Sequence, residues 1–499
     1  MTLLDLFDGV RRDRGAAPAV NGVTYAELHA GSLRVAAELA AHGLRCGDRF
    51  AIFCENRLAF VYAYLAALRL GAIVVPTNVL YRAAELEHIL ANARPSLALV
   101  SAQTAAHVAG LNLSIETVSA DDVEAWADDL DRPCFAATAA PHDDDLAVIL
   151  YTSGTTGRSK GAMLSHGNIA SIAAQVVVAW RWRANDVLAI GLPLFHMHGL
   201  GAALNGTLVA GGHLLVYERF DAQRMLDRMR ARDVTMFFGV PAMYVRLLEA
   251  IGDGSAPRLR LYVSGSAPLP FELHRTFEER FGIAILERYG ASEFGFALSN
   301  RYGGPRVAGS VGVPMPGTRV RIVAPGGDAA VTPGEIGELL VSGPTVCAGY
   351  WELPEANADA FLVDADGVRW FRSGDLARFD PACDVYQIAG RIKELIISGG
   401  FNISPREIEV EIERFPGVLA CAVVGVEDSV RGERPAAFVE AAASLNADAL
   451  LAVLRARLAS FKIPKEVHIV DSLPRNALGK IEKHKLKALA AAGSARATA

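Results

Sequence analysis

From Val187 to Tyr217 the chain carries no Asp, Glu, Lys or Arg. A stretch that long without charge either crosses a bilayer or lies inside a large folded core. Pro193, His196, His198, Asn205, His213 and a scatter of glycines decide between the two. In hydrocarbon they leave polar side chains and interrupted backbone unsatisfied. The segment reads as strand, loop, helix and strand buried in a soluble core, with no membrane span.

The chain around it has the texture such a core needs. Short apolar runs at Arg49–Cys54, Ile73–Pro76, Leu97–Val100, Leu146–Leu150, Val187–Leu192, Leu214–Tyr217 and Met236–Phe238 read as strands, and Phe60–Leu70, Arg82–Ala93 and Phe220–Ala231 as helices. Strands that are apolar throughout and alternate with helices predict an α/β architecture with mostly parallel, buried sheets. After Gly312 the pattern shortens to strands and turns, which predicts a β-rich subdomain. A further boundary falls in Gly390–Glu409. There Ser404-Pro405-Arg406-Glu407 reads as a capping box with proline at the first helical position, and Pro416-Gly417 ends the helix. Val418–Val426 then reads as a strand, and helix and strand alternate to Val470. At 499 residues, two or more domains are expected.

One loop points to chemistry. Tyr151–Gly161 reads YTSGTTGRSKG and follows a predicted strand. Its glycines let the backbone approach a ligand and its hydroxyls add donors, while Arg158 and Lys160 add positive charge, a combination suited to a polyphosphate. The spacing is not that of a P-loop, because Ser159 stands where the second glycine of that motif belongs.

Composition narrows the partners. Lys+Arg 49 against Asp+Glu 55 gives a net charge of −6, with no long basic run, so nucleic acid and anionic membranes are not expected partners. Cys46, Cys54, Cys134, Cys347, Cys383 and Cys421 are scattered, without zinc spacing, which predicts a reducing, cytoplasmic setting. The N-terminus has acids within its apolar stretch and does not read as a targeting peptide.

Five motifs occur in one order: YTSGTTGRSKG, ERYGASE (Glu287–Glu293), SGDL (Ser373–Leu376), GRIKELIISGG (Gly390–Gly400) and PRNALGK (Pro474–Lys480). In that order and spacing the chain resembles the adenylate-forming enzymes, the superfamily of acyl-CoA synthetases, luciferases and peptide-synthetase adenylation domains. The resemblance implies a large N-terminal domain of stacked α/β subdomains with a β-rich subdomain (residues 1–390), a hinge (391–393) and a small mobile α+β lid (394–488). A disordered tail (489–499) is expected beyond it.

It also implies roles. Thr152, Ser153, Gly154, Thr155, Thr156, Gly157 and Lys160 would hold the triphosphate of ATP, and Thr152 and Glu293 would hold Mg²⁺. Gly265, Ser266, Ala267 and Tyr289, with Arg288 beside them, would line the adenine site. Asp375 and Arg391 would contact the ribose. Lys480 would act in adenylation together with Lys160, Glu293 and His198. Lys393 would be the hinge, and Ser398, Gly399 and Gly400 would face the pantetheine of CoA. The implied reaction makes an acyl-AMP and then a CoA thioester in a monomer or homodimer.

Within the superfamily the chain looks most like malonyl-CoA synthetases. PLFHMHGL (Pro193–Leu200), FFGVPAMYVRLL (Phe237–Leu248), VSGSAPL (Val263–Leu269) and ERYG carry that likeness. It implies that Arg246, with Arg288 close by and His198 and Ala291 lining the pocket, binds the carboxylate that is not activated. The other reading of Arg246 is an ordinary surface arginine. Where that group has Met-Thr-Glu, this chain has Ala291-Ser292-Glu293 followed by Phe294-Gly295-Phe296, and Met197 replaces a threonine or valine. Ala291 and Gly295 read as room for a longer acyl chain lined by Phe294 and Phe296. Met197 reads instead as filler beside the α-carbon. A medium-chain monocarboxylate, or loading of a carrier protein in place of CoA, are the alternatives.

Overall fold

The structure, a computed structural model, describes every residue except 112, 137–139, 153–158, 232, 253, 399–400, 429, 442–444, 477–478 and 498–499, and the backbone alone at 402 and 491–497. Two large sheets dominate it. The first has nine strands, and at its centre Leu286–Ala291, Leu261–Ser264, Met236–Gly239, Val187–Ile190, His213–Val216 and Pro18–Val20 run parallel in that order. The second has seven strands, with Leu146–Thr152, Ile73–Pro76, Arg49–Phe53, Leu97–Val100 and Glu116–Ser119 parallel in that order. Both match the all-apolar runs of the sequence, since a parallel strand covered by helices on both faces has no polar side to show.

Helices fill the space between these sheets. Leu58–Leu70 is apolar around its circumference, and Ala59 to Leu68 are all buried, as expected for a helix enclosed on every side. The uncharged stretch lies in the same core. It runs strand Val187–Ile190, loop, a π-helical turn His198–Leu204, helix Asn205–Ala210, strand His213–Val216. Among the described residues no helix is long and apolar enough to cross a membrane.

The β-rich region is an antiparallel five-stranded sheet in which Arg319–Val323, Gly337–Ser342, Arg369–Asp380 and Phe361–Val363 follow one another and Val385–Arg391 joins Arg369–Asp380. The C-terminal sheet is built on the long hairpin Val418–Asp428 and Gly432–Ala441, to which Glu466–Val470 adds in parallel. Its core is separate from the others.

Two local expectations change. The helix Pro405–Glu413 begins with Ser404 and Pro405 and stops before Pro416, but no capping box forms. The Ser404 hydroxyl donates to the Ala389 carbonyl, and Glu407 accepts from Lys462 at 2.5 Å, so tertiary partners outcompete the local exchange. The tail from 489 is not irregular, because the helix Lys483–Ala497 runs through it. Alanine has the highest helix propensity of any residue, and Leu486 and Ala490 anchor that helix in the second C-terminal core.

Candidate active site

The parallel strands of the nine-stranded sheet end together and deliver the site residues at their C-terminal edge, where open α/β sheets bind ligands. Val187–Ile190 leads to His196 and His198, Met236–Gly239 to Val240 and Ala242, and Leu261–Ser264 to Gly265-Ser266-Ala267. Leu286–Ala291 itself carries Glu287, Arg288 and Tyr289. Ser266 has φ +70°, a left-handed conformation unusual outside glycine and costly unless the surroundings enforce it.

Arg288 is the centre of this group. Its guanidinium is buried, and among the described residues neither Nε nor Nη2 has a hydrogen-bond partner. Cζ lies 4.6 Å from the centroid of the Phe296 ring. Burial alone brings its pKa down from 12.5 to about 9, which still leaves a cation at neutral pH. His198 is also buried, with both ring nitrogens unpartnered among the described residues, and it stacks on Phe238 at 5.9 Å. Burial first, then Arg288, then His196, hold its pKa well below 6.5. His196 falls to about 4 through burial, Arg288 and Lys480. The site thus pairs one unsatisfied cation with two neutral imidazoles, an arrangement suited to an anion.

Three residues expected to contact the nucleotide stand together. Asp375 sits in a turn-like bulge within the strand Arg369–Asp380, beside Gly374 at φ +67°; it accepts from the Tyr289 hydroxyl and meets Arg391 Nε at 2.8 Å across the ladder in which the two are register partners. Asp375 and burial together raise the Tyr289 hydroxyl far above its ordinary value, burial the larger. Glu338 steadies the turn by accepting from Gly374 N at 3.3 Å and Arg372 Nη1 at 2.8 Å.

Thr152 and Lys160 flank the phosphate loop as paired residues of an antiparallel ladder. Ser153, Gly154, Thr155, Thr156 and Gly157 lie outside the described residues, as do Gly399 and Gly400. Lys160 Nζ stands 4.8 Å from the centroid of Tyr350, whose hydroxyl donates to Glu293 Oε1 at 2.9 Å. Tyr350 therefore joins the end of the phosphate loop to the metal-binding candidate. Sequence reading passed over it because Gly349-Tyr350-Trp351 looks like any turn followed by core aromatics.

Glu293 keeps Oε2 available, and burial pushes its carboxyl up. No group of three or more His, Cys, Asp or Glu side chains able to hold a metal occurs among the described residues. That donor set suits Mg²⁺, which takes one or two carboxylates and fills its octahedron with water and phosphate oxygens.

Lys480 closes the site from the C-terminal part. Gly479 approaches the start of the helix Pro241–Ile251 closely enough that a Cβ there would lie 3.5 Å from Ala242. Burial and the nearby Arg391 lower the Lys480 pKa, against the opposing pull of Glu394 and Asp375. Lys393 lies exposed in the turn Ile392–Glu394, and Ser398 is buried with its hydroxyl unpartnered among the described residues.

The pocket residues sort differently from the sequence reading. Arg246 is exposed on the helix Pro241–Ile251, whose buried face is Tyr244, Leu247 and Ile251, and no ion pair or hydrogen bond holds it among the described residues. Of the two, the enclosed arginine is Arg288. Gly295 opens no room: at φ +62° it seats Ile172, whose Cγ1 is 2.6 Å from where a Cβ would be. Met197 is buried over Gly201, whose Cβ position its thioether fills, and is not shown facing a substrate carbon. Phe294 turns into the core of the β-rich sheet against Phe371, while Phe296 lines the Arg288 side. Ala291 is half-buried at the end of its strand.

Residues 9–351 match the model of the AMP-binding enzyme family, and residues 407–480 that of the AMP-binding enzyme C-terminal domain. The chain belongs to the AMP-binding enzyme family. It is an AMP-forming acid–thiol ligase that works with ATP and CoA. It is 39% identical to a feruloyl-CoA synthase of Amycolatopsis sp, over 93% of each chain. It is 34% identical to the mitochondrial malonate–CoA ligase ACSF3 of Mus musculus, over 93% of this chain and 86% of that one. Among solved structures, ATP-bound MatB from Rhodopseudomonas palustris superposes with a TM-score of 0.88 at 39% identity, over 98% of this chain and 99% of that one.

Proposed function

We propose that this acyl-CoA ligase activates a short dicarboxylate, malonate foremost, and transfers it to CoA. The observation that carries the reading is Arg288, a buried guanidinium with two nitrogens left without partners among the described residues. A buried charge in that state costs several kcal/mol unless a counter-ion meets it, and arginine's fork fits a carboxylate. An acid with one carboxylate to activate and one to anchor supplies that counter-ion. The likeness to malonate–CoA ligase supports the same reading.

In this account the activated carboxylate attacks the α-phosphorus of ATP and pyrophosphate leaves, with Lys480 and Lys160 offsetting the charge that develops. Bound Mg²⁺ offsets charge on the phosphate oxygens. Asp375, Arg391 and Tyr289 fix the ribose and adenine. The C-terminal part then turns about Lys393, bringing Ser398 to Gly400 toward the site for attack by the CoA thiol on the acyl-AMP carbonyl, with AMP departing.

A second reading, activation of a monocarboxylic acid with an aromatic ring, draws on Phe238, Phe296 and His198 as a ring-lined wall and on the likeness to feruloyl-CoA synthase. Arg288→Met separates the two. The dicarboxylate reading expects kcat/KM for malonate to fall roughly 100-fold while that for a monocarboxylate stays within about threefold. Equal losses on both acids would overturn it.

A further inference from the structure

Lys483 stands three residues beyond Lys480, and the reaction as described does not use it. Its ammonium is shared by two carboxylates from different parts of the chain. Nζ lies 2.9 Å from Glu394 Oε2, in the turn that contains Lys393, and 2.8 Å from Glu409 Oε1, on the helix Pro405–Glu413. Glu409 Oε1 also accepts from Val423 N at 2.9 Å, so the carboxylate is fixed to the edge strand Val418–Asp428 of the C-terminal sheet. Burial works against the charge on Lys483, yet Glu409 and Glu394 outweigh it and hold the pKa at about 12.

The loop between Pro474 and Lys483 is otherwise held from its far end. Arg475 pairs with Glu440 at 3.1 Å, Glu482 N donates to Pro474 O at 2.8 Å, and Lys480 N donates to Asn476 Oδ1 at 3.0 Å. Lys480 thus projects from a tight loop with two anchors. Arg475–Glu440 ties it to the sheet, and Lys483 ties it to the turn about which the C-terminal part would rotate.

We propose that Lys483 is a positioning residue: by bridging Glu394 and Glu409 it sets where Lys480 stands relative to the hinge, and so governs adenylation without touching substrate. The two-carboxylate clamp is stiffer than a single surface ion pair, because both partners are largely enclosed and one is itself hydrogen-bonded to backbone. The proposal rests on the reading that Lys480 serves adenylation and leaves the site for thioester formation. A loosened Lys480 then slows the first half-reaction alone, whereas general damage to the C-terminal sheet slows both.

The test measures pyrophosphate release from ATP and acid, and separately CoA thioester formation from supplied acyl-AMP, in the full-length enzyme carrying Lys483→Met, Lys483→Arg, Glu394→Gln or Lys480→Ala. Expected for Lys483→Met is a loss of about 10- to 100-fold in adenylation kcat with thioester formation within about twofold of wild type. Lys483→Arg should restore most of it. Glu394→Gln, which keeps the Glu409 bond and so the fold, should show the same split in smaller measure. Equal loss in both half-reactions for Glu394→Gln, or no loss in either, overturns the proposal. Lys480→Ala is the control: should it leave adenylation intact, the reading of Lys480 fails first.

Discussion

Gly265 makes room for Arg288. A Cβ at residue 265 would lie 2.5 Å from both Cζ and Nε of that arginine, a distance no side chain tolerates. Gly265 is therefore required by the buried guanidinium as much as by any close approach of a nucleotide. Gly265→Ala must displace Arg288 or the turn, and we expect a loss of roughly 10- to 100-fold in kcat/KM for a dicarboxylate. Steady-state kinetics at constant ATP checks this, and unchanged turnover would show that Arg288 has slack.

The depressed pKa of Arg288 gives a pH signature. In the free enzyme its charge is lost as pH rises through about 9. The ratio of kcat/KM for malonate to that for acetate should hold steady from pH 6 to 8 and fall above about 9, because kcat/KM reports the free enzyme. His196, lowered by burial to about 4, should add no step between pH 5 and 8, and His198, which burial also holds well below its ordinary value, should add none near neutral pH. A pH–rate profile on both acids reads all of this.

Glu287 provides a stability prediction. Its carboxyl is buried, with Oε2 unpartnered and Oε1 accepting from Leu269 N at 2.9 Å, and burial raises its pKa from 4.5 to about 8. The folded state therefore favours the protonated form. Stability from this group is fully present below its unfolded value and is lost as pH rises through about 8. Glu287→Gln mimics the protonated form, so thermal unfolding should match wild type near pH 5 and show a higher midpoint for the variant near pH 9. A variant less stable at both pH values would contradict the assignment.

Rotation about the hinge predicts a division of labour. Lys480→Ala should nearly abolish pyrophosphate release and spare thioester formation from supplied acyl-AMP, whereas Lys393→Pro should do the reverse. Single-turnover assays of each half-reaction decide it, and parallel losses in either variant count against rotation.

Much of this was legible in the sequence, for identifiable reasons. Strands such as Ile73–Pro76 and Leu97–Val100 are short apolar runs with no competing period, and the structure has them at those bounds. Asp375 and Arg391 stand in separate motifs on the consecutive strands Arg369–Asp380 and Val385–Arg391, and antiparallel pairing of those strands sets them opposite each other. What failed was orientation. Phe294 and Phe296 are two residues apart and on a regular strand would share a face, but Phe294 lies in the turn that precedes the strand Gly295–Ser299, and the left-handed Gly295 between them turns the two rings apart. Arg246 and Arg288 are both arginines within apolar segments. Only the packing of Pro241–Ile251 leaves the first in the open and encloses the second. Lys483 looked like one of several lysines near the C-terminus, because its partners Glu394 and Glu409 lie far back along the chain.

The central claim is that the enclosed Arg288 selects an acid with a second carboxylate. It is tested most directly by AMP release with ATP, Mg²⁺ and CoA against malonate, methylmalonate, succinate, acetate, octanoate, benzoate and ferulate. The account predicts highest kcat/KM for malonate, with the monocarboxylates at least about 100-fold lower. Preference for ferulate, benzoate or octanoate over malonate would contradict it.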